Sequence, residues 1–326
     1  MKKKKILLLN DTSLICHHGC SLLMNTMYDF FEQNNFLIKK KIFYEQNYLE
    51  HISNVKEYDL ILINGEGTLH GKSNSDVKKV HEIFEFIRLV KRKYTIPIVI
   101  FNSTIAVLKK KQLKIIKMVD RIYVREKFSF NYLKNKNINS IILPDLLSLL
   151  TLPKFNNNSD NVIVTDSSVK KTTLKLLNYA KDKRYIYVPI LYRNYLRYLR
   201  YVTFKVALKF NINFIIKFYL NLKKLYLNDS LVKFTKSNFV ITGRFHGIFI
   251  CLALMKPFYT FQSDTYKIHG ILDLIGIKNR IIDINHINNL KLTSFSESEI
   301  LKIKKFKIQT KKKFNKFVQQ LHYLVS

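Results

Sequence analysis

The sequence of 326 residues is poor in several residue types that define other classes of protein. It has no tryptophan, 5 prolines, 8 glycines and three cysteines. So small and odd a number of cysteines argues against a disulfide-stabilised secreted scaffold and indicates a reducing compartment. No uncharged apolar run reaches the ~18 residues that a transmembrane helix needs. We therefore expect a cytoplasmic protein that does not span the membrane.

The N-terminus carries four lysines followed by a short apolar run at residues 6–9, which ends at Asn10. A secretory signal peptide needs a longer apolar segment and a cleavage site of small residues. The pattern therefore predicts a first β-strand. Cys16 and Cys20, with His17 and His18 between them, have a spacing that zinc ligands use. Because no second Cys or His pair stands at ligand spacing elsewhere, we predict no metal site and no cofactor.

Acidic residues are scarce: 23 Asp and Glu stand against 56 Lys and Arg, a formal net charge of +33. Such a charge suits a nucleic-acid binder, a protein on an anionic membrane or an enzyme with acidic substrates. It is also what a coding sequence of low GC content produces in an ordinary protein rich in Lys, Asn and Ile. The basic residues are spread along the chain without a nucleic-acid-binding motif, so we expect no specific nucleic-acid partner.

Residues 192–227 interleave arginines and lysines with aromatic and aliphatic residues. This segment either lies on a membrane surface or forms two amphipathic helices around a buried strand, the second being the favoured interpretation. The first would place the protein peripherally at the inner face of the membrane.

Short unbroken apolar runs alternate with segments of helical periodicity along most of the chain. Unbroken runs are typical of parallel strands that are covered on both faces, so the pattern predicts α/β folding. The runs that we assign to strands are residues 6–9, 60–63, 98–101, 122–124, 141–143, 162–164, 185–190, 214–216, 239–241 and 258–261. A polar stretch without periodicity at residues 153–161 is the best linker.

These runs predict two Rossmann-like domains, residues 1–153 and 162–295, with parallel sheets that face each other across a cleft. Residues 296–326 form a helix that packs back. Ligands of such folds bind beyond the carboxyl ends of the strands, so polar clusters that directly follow an apolar run are candidate sites.

The first cluster is a glycine-rich loop after residues 60–63, containing Asn64, Gly65, Glu66, Gly67 and His70. Glycines allow the backbone to approach a ligand closely, and N–H groups before a helix can bind an anion. Glu66 stands between two glycines, so we expect it to be exposed and a candidate general base. The alternative is a tight turn with Glu66 in solvent.

The second cluster is the sequence Gly-Arg-Phe-His-Gly at residues 243–247, between an apolar run and an apolar helical segment. At a helix N-terminus the macrodipole and the N–H groups favour an anion, and Arg244 adds a bidentate donor. His246 can transfer a proton near neutral pH. A histidine that only caps the helix is the alternative, but the coincidence of both side chains with Gly247 favours function.

Three further positions follow strands. Arg125 is a second candidate for binding an anion, unless it only pairs with Glu126. Asp145 ends the run at residues 141–143 and either points into the cleft or caps a turn. Lys267 opens a helical segment near the edge of the second domain.

In this order the clusters resemble the polysaccharide pyruvyl transferase family, which has a glycosyltransferase-B-like fold. The resemblance covers most of the chain and is sharpest in the Arg-x-His-Gly element with Lys267 and Gly270 downstream. It is weaker in the glycine loop, where Glu66 replaces the family's usual glycine. The segment with His18 and Gly19 is interpreted as a second ligand or acceptor loop, together with Asn64, His70 and Asp145.

The resemblance implies transfer of a pyruvyl group from phosphoenolpyruvate to two hydroxyls of a sugar, which forms a ketal on a surface polysaccharide such as bacterial capsule or lipopolysaccharide. It assigns donor binding to Arg244 and His246, with Arg125 less directly. The donor's carboxylate and phosphate call for several cationic groups and for backbone N–H groups near helix starts. We therefore assign Lys267, and the glycines that let the backbone approach the ligand, Gly65, Gly67 and Gly247, to the donor site. We assign His246 as the acid and Glu66 as the base.

Two alternatives stay open. The same fold serves glycosyltransferases that use a nucleotide sugar, in which an Arg and a Lys bind the diphosphate. The other is a non-catalytic protein that binds anionic glycan at a membrane surface, which rests on the charge and on residues 192–227.

Overall fold

A computed structural model describes residues 3–66, 69, 74–153, 161–191, 194–208, 210, 212–263 and 265–326. The chain divides into two compact units. The first contains residues 1–14, 24–145 and 311–326, and the second contains residues 15–23 and 146–310. The domain boundaries drawn from the sequence stay a prediction. The units differ from them mainly in grouping residues 15–23 with the C-terminal half.

The first unit is built on a parallel sheet of six strands within the described residues, in the order β2-β1-β3-β4-β5-β6. The strands are β1 (Lys4–Asp11), β2 (Phe36–Phe43), β3 (Leu60–Asn64), β4 (Ile98–Ser103), β5 (Arg121–Val124) and β6 (Ile141–Ile142). The helices that begin before residue 145 are α1 (His18–Gln33), α2 (Asn74–Lys93), α3 (Lys110–Ile116) and α4 (Lys127–Lys134).

The second unit has a parallel sheet of four strands in its described part, in the order β10-β9-β7-β8. The strands are β7 (Val162–Ser167), β8 (Ile186–Tyr187), β9 (Phe239–Gly243) and β10 (Phe258–Thr260). The helices are α5 (Lys170–Asp182), α6 (Asn194–Val202), α7 (Asn213–Thr235), α8 (Phe245–Leu254), α9 (Lys267–Ile275) and α10 (Glu297–Leu324), the last of which runs into the first unit.

Every residue of β3, β4, β7 and β9 is buried. A strand that is buried at successive positions must be covered on both faces, because successive side chains point to opposite sides of the sheet. Each unit accordingly has its own apolar core around its sheet. The predicted α/β fold with two parallel sheets is confirmed.

The predicted strand at residues 214–216 is wrong. These residues open α7, and Phe214 is 77% exposed. A short apolar run fits a buried strand and a helical segment equally well, and only length separates them. The helix continues for 23 residues with buried positions on one face, such as Ile216, Leu227 and Phe234.

The helix α10 packs through aromatic contacts in the first unit and through an ion pair in the second. In the first unit Phe317 stacks on Phe101 at 5.0 Å between ring centroids and meets Tyr123 edge-on. In the second, Glu299 accepts hydrogen bonds from Arg280 Nε and Nη2 at 2.7 and 2.6 Å. These hydrogen bonds lower the pKa of Glu299 to about 2. In the described part of the chain, no helix combines the length and the hydropathy that crossing a bilayer requires.

Candidate anion-binding site

The Arg-x-His-Gly element lies where β9 ends and α8 begins, in the second unit. Arg244 is the N-cap residue of α8, with extended backbone and no side-chain hydrogen bond to the helix. The first turn of α8 contains no acidic residue. The first N–H groups of a helix have no partner within it, and the helix dipole adds partial positive charge there. This end of α8 therefore has the character of an anion site.

The Arg244 guanidinium is held in place by Asp166 on the neighbouring strand β7. Arg244 Nε donates to Asp166 Oδ2 at 2.9 Å and Nη2 donates to the same oxygen. The other oxygen of Asp166 accepts the Ile190 N–H at 2.7 Å. Within the described residues Nη1 makes no hydrogen bond, so this edge of the guanidinium stays open to a ligand. Asp166 orients the arginine and also offsets much of its charge.

Gly247 lets α8 approach the end of β9 closely. A Cβ atom at this position would overlap Thr242 Oγ1. The Thr242 hydroxyl accepts the Arg244 N–H at 3.2 Å and lies 2.8 Å from the Thr165 hydroxyl. Any side chain at residue 247 would displace Thr242, which fixes the arginine backbone. The geometry therefore assigns Gly247 a packing role in shaping the site.

His246 lies in the first turn of α8 and meets His17, which the sequence indicated only as part of a possible zinc site or ligand loop and did not assign to the anion site. The rings of His17 and His246 are 5.6 Å apart between centroids and stand edge to face. Gly19 packs directly on His246, where a Cβ atom would overlap ring atom Nδ1. Residues 15–23 thus position the His246 ring from one side. The sequence placed His17 in a possible ligand loop but could not pair it with His246, because the two residues are 229 positions apart.

Burial and the positive charges nearby favour the neutral form of the His17 ring. Burial lowers its pKa well below the ordinary value, and the charges of Arg244, His246, His18 and Lys267 lower it further. The Cys20 N–H donates to His17 Nδ1 at 3.3 Å, so the neutral ring carries its proton on Nε2. His17 is therefore a hydrogen-bond donor in a cationic environment, which suits contact with an anion. Lys267, the first residue of α9, acts on the same ring.

The predicted ligand residue His18 is placed differently. Its ring Nε2 lies 3.1 Å from the Ser230 hydroxyl of α7, and its backbone N–H donates to the Ile190 carbonyl at 2.9 Å. Burial first, and then the charge of Lys223, lower its pKa to about 4. His18 is thus a buried neutral side chain that attaches the segment to α7. Cys16 lies 3.1 Å from the Tyr219 hydroxyl, and no cluster of metal ligands occurs among the described residues.

In the first unit Glu66 is buried, contrary to the expectation that flanking glycines would expose it. Its Oε2 accepts the Thr12 hydroxyl at 2.7 Å, and its N–H donates to Asn64 Oδ1 at 3.2 Å. Gly65 packs against β4, where a Cβ atom would overlap Ser103. Residues 64–66 fold inwards because these partners lie at the ends of neighbouring strands. The predicted site residues Gly67 and His70 lie outside the described residues.

Arg125 and Asp145, two further predicted ligand residues, contact each other. Arg125 Nη1 donates to Asp145 Oδ2 at 3.0 Å and Nε donates to Thr104 Oγ1 at 2.7 Å. Glu126 does not pair with the arginine. Its carboxylate caps α4 instead, accepting the N–H groups of Phe128 and Ser129.

The second unit thus has a helix N-terminus with Arg244, two histidines and a nearby lysine, on a doubly wound α/β frame. This is the class of site that binds a small anion and exchanges protons with it. The family model for polysaccharide pyruvyl transferase matches residues 17–265, so the chain belongs to this family and is a transferase. The resemblance found in the sequence is confirmed.

Solved structures similar to this chain share little sequence with it. A functionally uncharacterised protein from Klebsiella pneumoniae is 14% identical with a TM-score of 0.49, covering 86% of this chain and 93% of its own. An alpha-glucosyltransferase in complex with UDP is 10% identical with a TM-score of 0.47, covering 98% and 96%. UDP-GlcNAc 2-epimerase from Neisseria meningitidis is 12% identical with a TM-score of 0.43, covering 97% and 93%. No curated protein matches the sequence.

Proposed function

We propose that the protein transfers a pyruvyl group from phosphoenolpyruvate to two hydroxyls of a sugar in a cell-surface polysaccharide, forming a cyclic ketal and releasing phosphate. The observation that carries this is the grouping of Arg244, His246 and His17 at the N-terminus of α8 in a chain of this family. A donor with a carboxylate and a phosphate close together matches a site with several hydrogen-bond donors at a helix N-terminus that has no acidic residue in its first turn.

The reaction needs a proton at the methylene carbon of the donor, which makes the adjacent carbon electrophilic. We assign this proton to His246, since it lies beside the arginine that would hold the donor. The two attacking hydroxyls lose their protons, and the phosphate leaves from the same carbon. We assign the base to Glu66 as a prediction from its loop. Neutral His17 and the Lys267 charge would stabilise the anionic donor.

The direct test is mass spectrometry of sugar acceptors incubated with the full chain and either phosphoenolpyruvate or a panel of nucleotide sugars. We expect ketal product and inorganic phosphate only with phosphoenolpyruvate. Glycosyl transfer from a nucleotide sugar would refute the proposal and assign the protein to the alternative reaction. Thermal shift with each donor is a quick first measurement, because a ligand that binds the native state raises its melting temperature.

Calorimetry on variants tests the site itself. We expect Arg244→Ala to lose phosphoenolpyruvate binding, since it removes the open guanidinium edge. This change also leaves Asp166 unpaired, so the double variant Arg244→Ala/Asp166→Ala is the folding control. Unchanged donor affinity in both variants would rule out this site.

A further inference from the structure

The helix α7 has a second apolar face that points to solvent. Phe214, Phe218, Leu225 and Val232 are 77%, 51%, 65% and 45% exposed. At ~100° per residue these four positions fall within about 40° of one another, so they form one stripe along the helix. With a rise of ~1.5 Å per residue, the stripe is about 27 Å long. Exposed apolar residues are ordinary when single, but an aligned row of this length marks an interaction surface.

The opposite face of α7 already supports the core of the second unit. Ile216, Leu227 and Phe234 are buried there. Lys223 donates to the Ile15 carbonyl at 2.6 Å, and Ser230 lies 3.1 Å from His18 Nε2. Packing of the unit therefore accounts for one apolar face only. The exposed stripe lies on the other side of the helix, and α7 holds the segment that carries His17.

The polar residues beside the stripe indicate what covers it. Lys217 and Lys224 follow one another along one flank, since they are seven residues apart on a helix. Asp229, the single acidic residue of α7, lies on the other flank and is paired with Lys233 at 2.6 Å. The flank with Lys217 and Lys224 is thus cationic, in a chain with a net charge of +33. A hydrophobic row with lysines beside it matches an anionic lipid surface, where aromatic side chains enter the interface and lysines meet the headgroups.

We propose that α7 docks the protein on an anionic lipid bilayer, lying in the plane of the interface with Phe214, Phe218, Leu225 and Val232 inserted and Lys217 and Lys224 at the headgroups. This surface is separate from the anion site at α8 and does not depend on which donor that site uses. Asn221 and Asn228 interrupt the stripe, which suits a helix that lies at the interface rather than one that spans the bilayer.

Vesicle sedimentation with the full chain tests the proposal. We expect the protein to pellet at low salt with vesicles of equal parts phosphatidylglycerol and phosphatidylcholine, and not with phosphatidylcholine alone. Salt should release it, because screening weakens the attraction of the lysines to the headgroups. Failure of the wild-type chain to pellet with the anionic vesicles would overturn the proposal.

Variants separate this face from the general charge of the chain. Phe214→Ser/Phe218→Ser should weaken binding at least ~10-fold, since it removes two inserting rings. Lys217→Gln/Lys224→Gln should weaken it about 25-fold, at roughly fivefold per lysine. The matched controls lie on α10, where Leu301 and Ile308 are 65% and 61% exposed and Lys304 and Lys305 are exposed as well. Leu301→Ser/Ile308→Ser and Lys304→Gln/Lys305→Gln should bind as the wild type does.

If Lys304→Gln/Lys305→Gln weakens binding as much as Lys217→Gln/Lys224→Gln, the general charge of the chain explains the lysine effect and the proposal is wrong. If Leu301→Ser/Ile308→Ser weakens binding as much as Phe214→Ser/Phe218→Ser, insertion is not specific to α7 and the proposal is wrong as well. If the Phe variants instead abolish self-association in sedimentation velocity and leave vesicle binding unchanged, the occupant is a second copy of the chain. Both α7 pairs are exposed, so their melting curves should match the wild type.

The absence of tryptophan supplies a direct reporter of insertion. Phe218→Trp places a single indole in the stripe, and its emission should shift to the blue on anionic vesicles and become shielded from an aqueous quencher. Ile308→Trp, the control, should show neither change. An unshifted emission from residue 218 on vesicles that pellet the protein would show that another surface binds.

Discussion

Each unit presents an arginine between the end of a strand and the start of a helix, and the two sites differ in which residue is the N-cap of the helix: Glu126 follows Arg125, whereas Arg244 is itself the N-cap. After β5, Arg125 is bonded to Asp145, and the Glu126 carboxylate accepts the first N–H groups of α4. After β9, Arg244 is hydrogen-bonded to Asp166, its side chain makes no hydrogen bond to α8, and the first turn of α8 has no acidic residue. An arginine between a strand and a helix therefore stands beside a helix end that an internal carboxylate caps in one unit, and beside the candidate anion site in the other.

The difference shows that an arginine at a strand end is not in itself a ligand site. Whether the arginine and the helix N-terminus can bind an external anion depends on whether carboxylates of the protein already occupy them. In the first unit two carboxylates, Asp145 and Glu126, satisfy the arginine and the helix end. In the second, Asp166 satisfies one edge of Arg244, and a histidine pair stands where the first unit has a cap. Arg125 is thereby better explained as a structural residue than as a second donor-binding residue, although its role in binding stays a prediction.

The largest effect should come from breaking the ion pair of the first unit. Asp145→Ala leaves the Arg125 charge buried without this partner, which should cost about 3–5 kcal/mol of unfolding free energy. Asp166→Ala should cost less, because the side chain of Arg244 is 13% exposed and that of Arg125 is 3%. Urea unfolding curves measure both. Glu57→Ala, which removes an exposed ion pair with Lys39, is the control and should cost under about 1 kcal/mol. A larger loss of unfolding free energy for Asp166→Ala than for Asp145→Ala would contradict the greater burial of the Arg125 pair as the deciding factor.

Gly19→Ala should disturb the open site of the second unit without unfolding it. The added methyl group overlaps the His246 ring, so the ring must move. A displacement of this kind costs about 100-fold in kcat/KM when the ring transfers a proton. Asn25→Ala, an exposed position of the same helix, should leave kcat/KM unchanged. Wild-type activity in Gly19→Ala would show that the position of the His246 ring does not matter.

Buried histidines should make the second unit sensitive to acid. The unfolded chain binds a proton on His18 near pH 6.5, whereas the folded chain binds it only near pH 4. Stability is therefore lost as the pH falls through this window, by about 2 kcal/mol from pH 7 to pH 5. The unfolding free energy of His18→Gln should depend less on pH than that of the wild type. Parallel pH profiles for the two proteins would contradict this assignment.

The smallest effect should come from removing the cap in the first unit. Glu126→Ala removes the acceptor of the Phe128 and Ser129 N–H groups, which should cost about 1 kcal/mol. Donor affinity, measured by calorimetry, should not change, because the anion site belongs to α8. A gain of anion binding in this variant would mean that the Glu126 carboxylate is what prevents anion binding beside Arg125.

Most strands of both sheets were predictable because they are unbroken apolar runs, as at residues 60–63, 98–101 and 239–241. The strand β2 was missed, because three successive lysines at residues 39–41 interrupt its apolar run. The start of α8 after the glycine at residue 243 followed from the same pattern. Two other errors have physical causes. The run at residues 214–216 fits a strand and a helix equally, and Glu66 is buried by Thr12, a partner 54 positions away that no local rule could indicate.

Local periodicity and short motifs are enough to predict the α/β class, most of the strands, the family, and the place of Arg244 and His246 at a strand end. They do not reveal that Asp166 orients Arg244, that His17 and Gly19 pack on His246, or that Arg125 is hydrogen-bonded to Asp145. The row of apolar side chains that α7 exposes is likewise visible only in the folded chain. Such facts depend on which distant segments share a core, and the energy of burial that brings them together is a property of the whole fold.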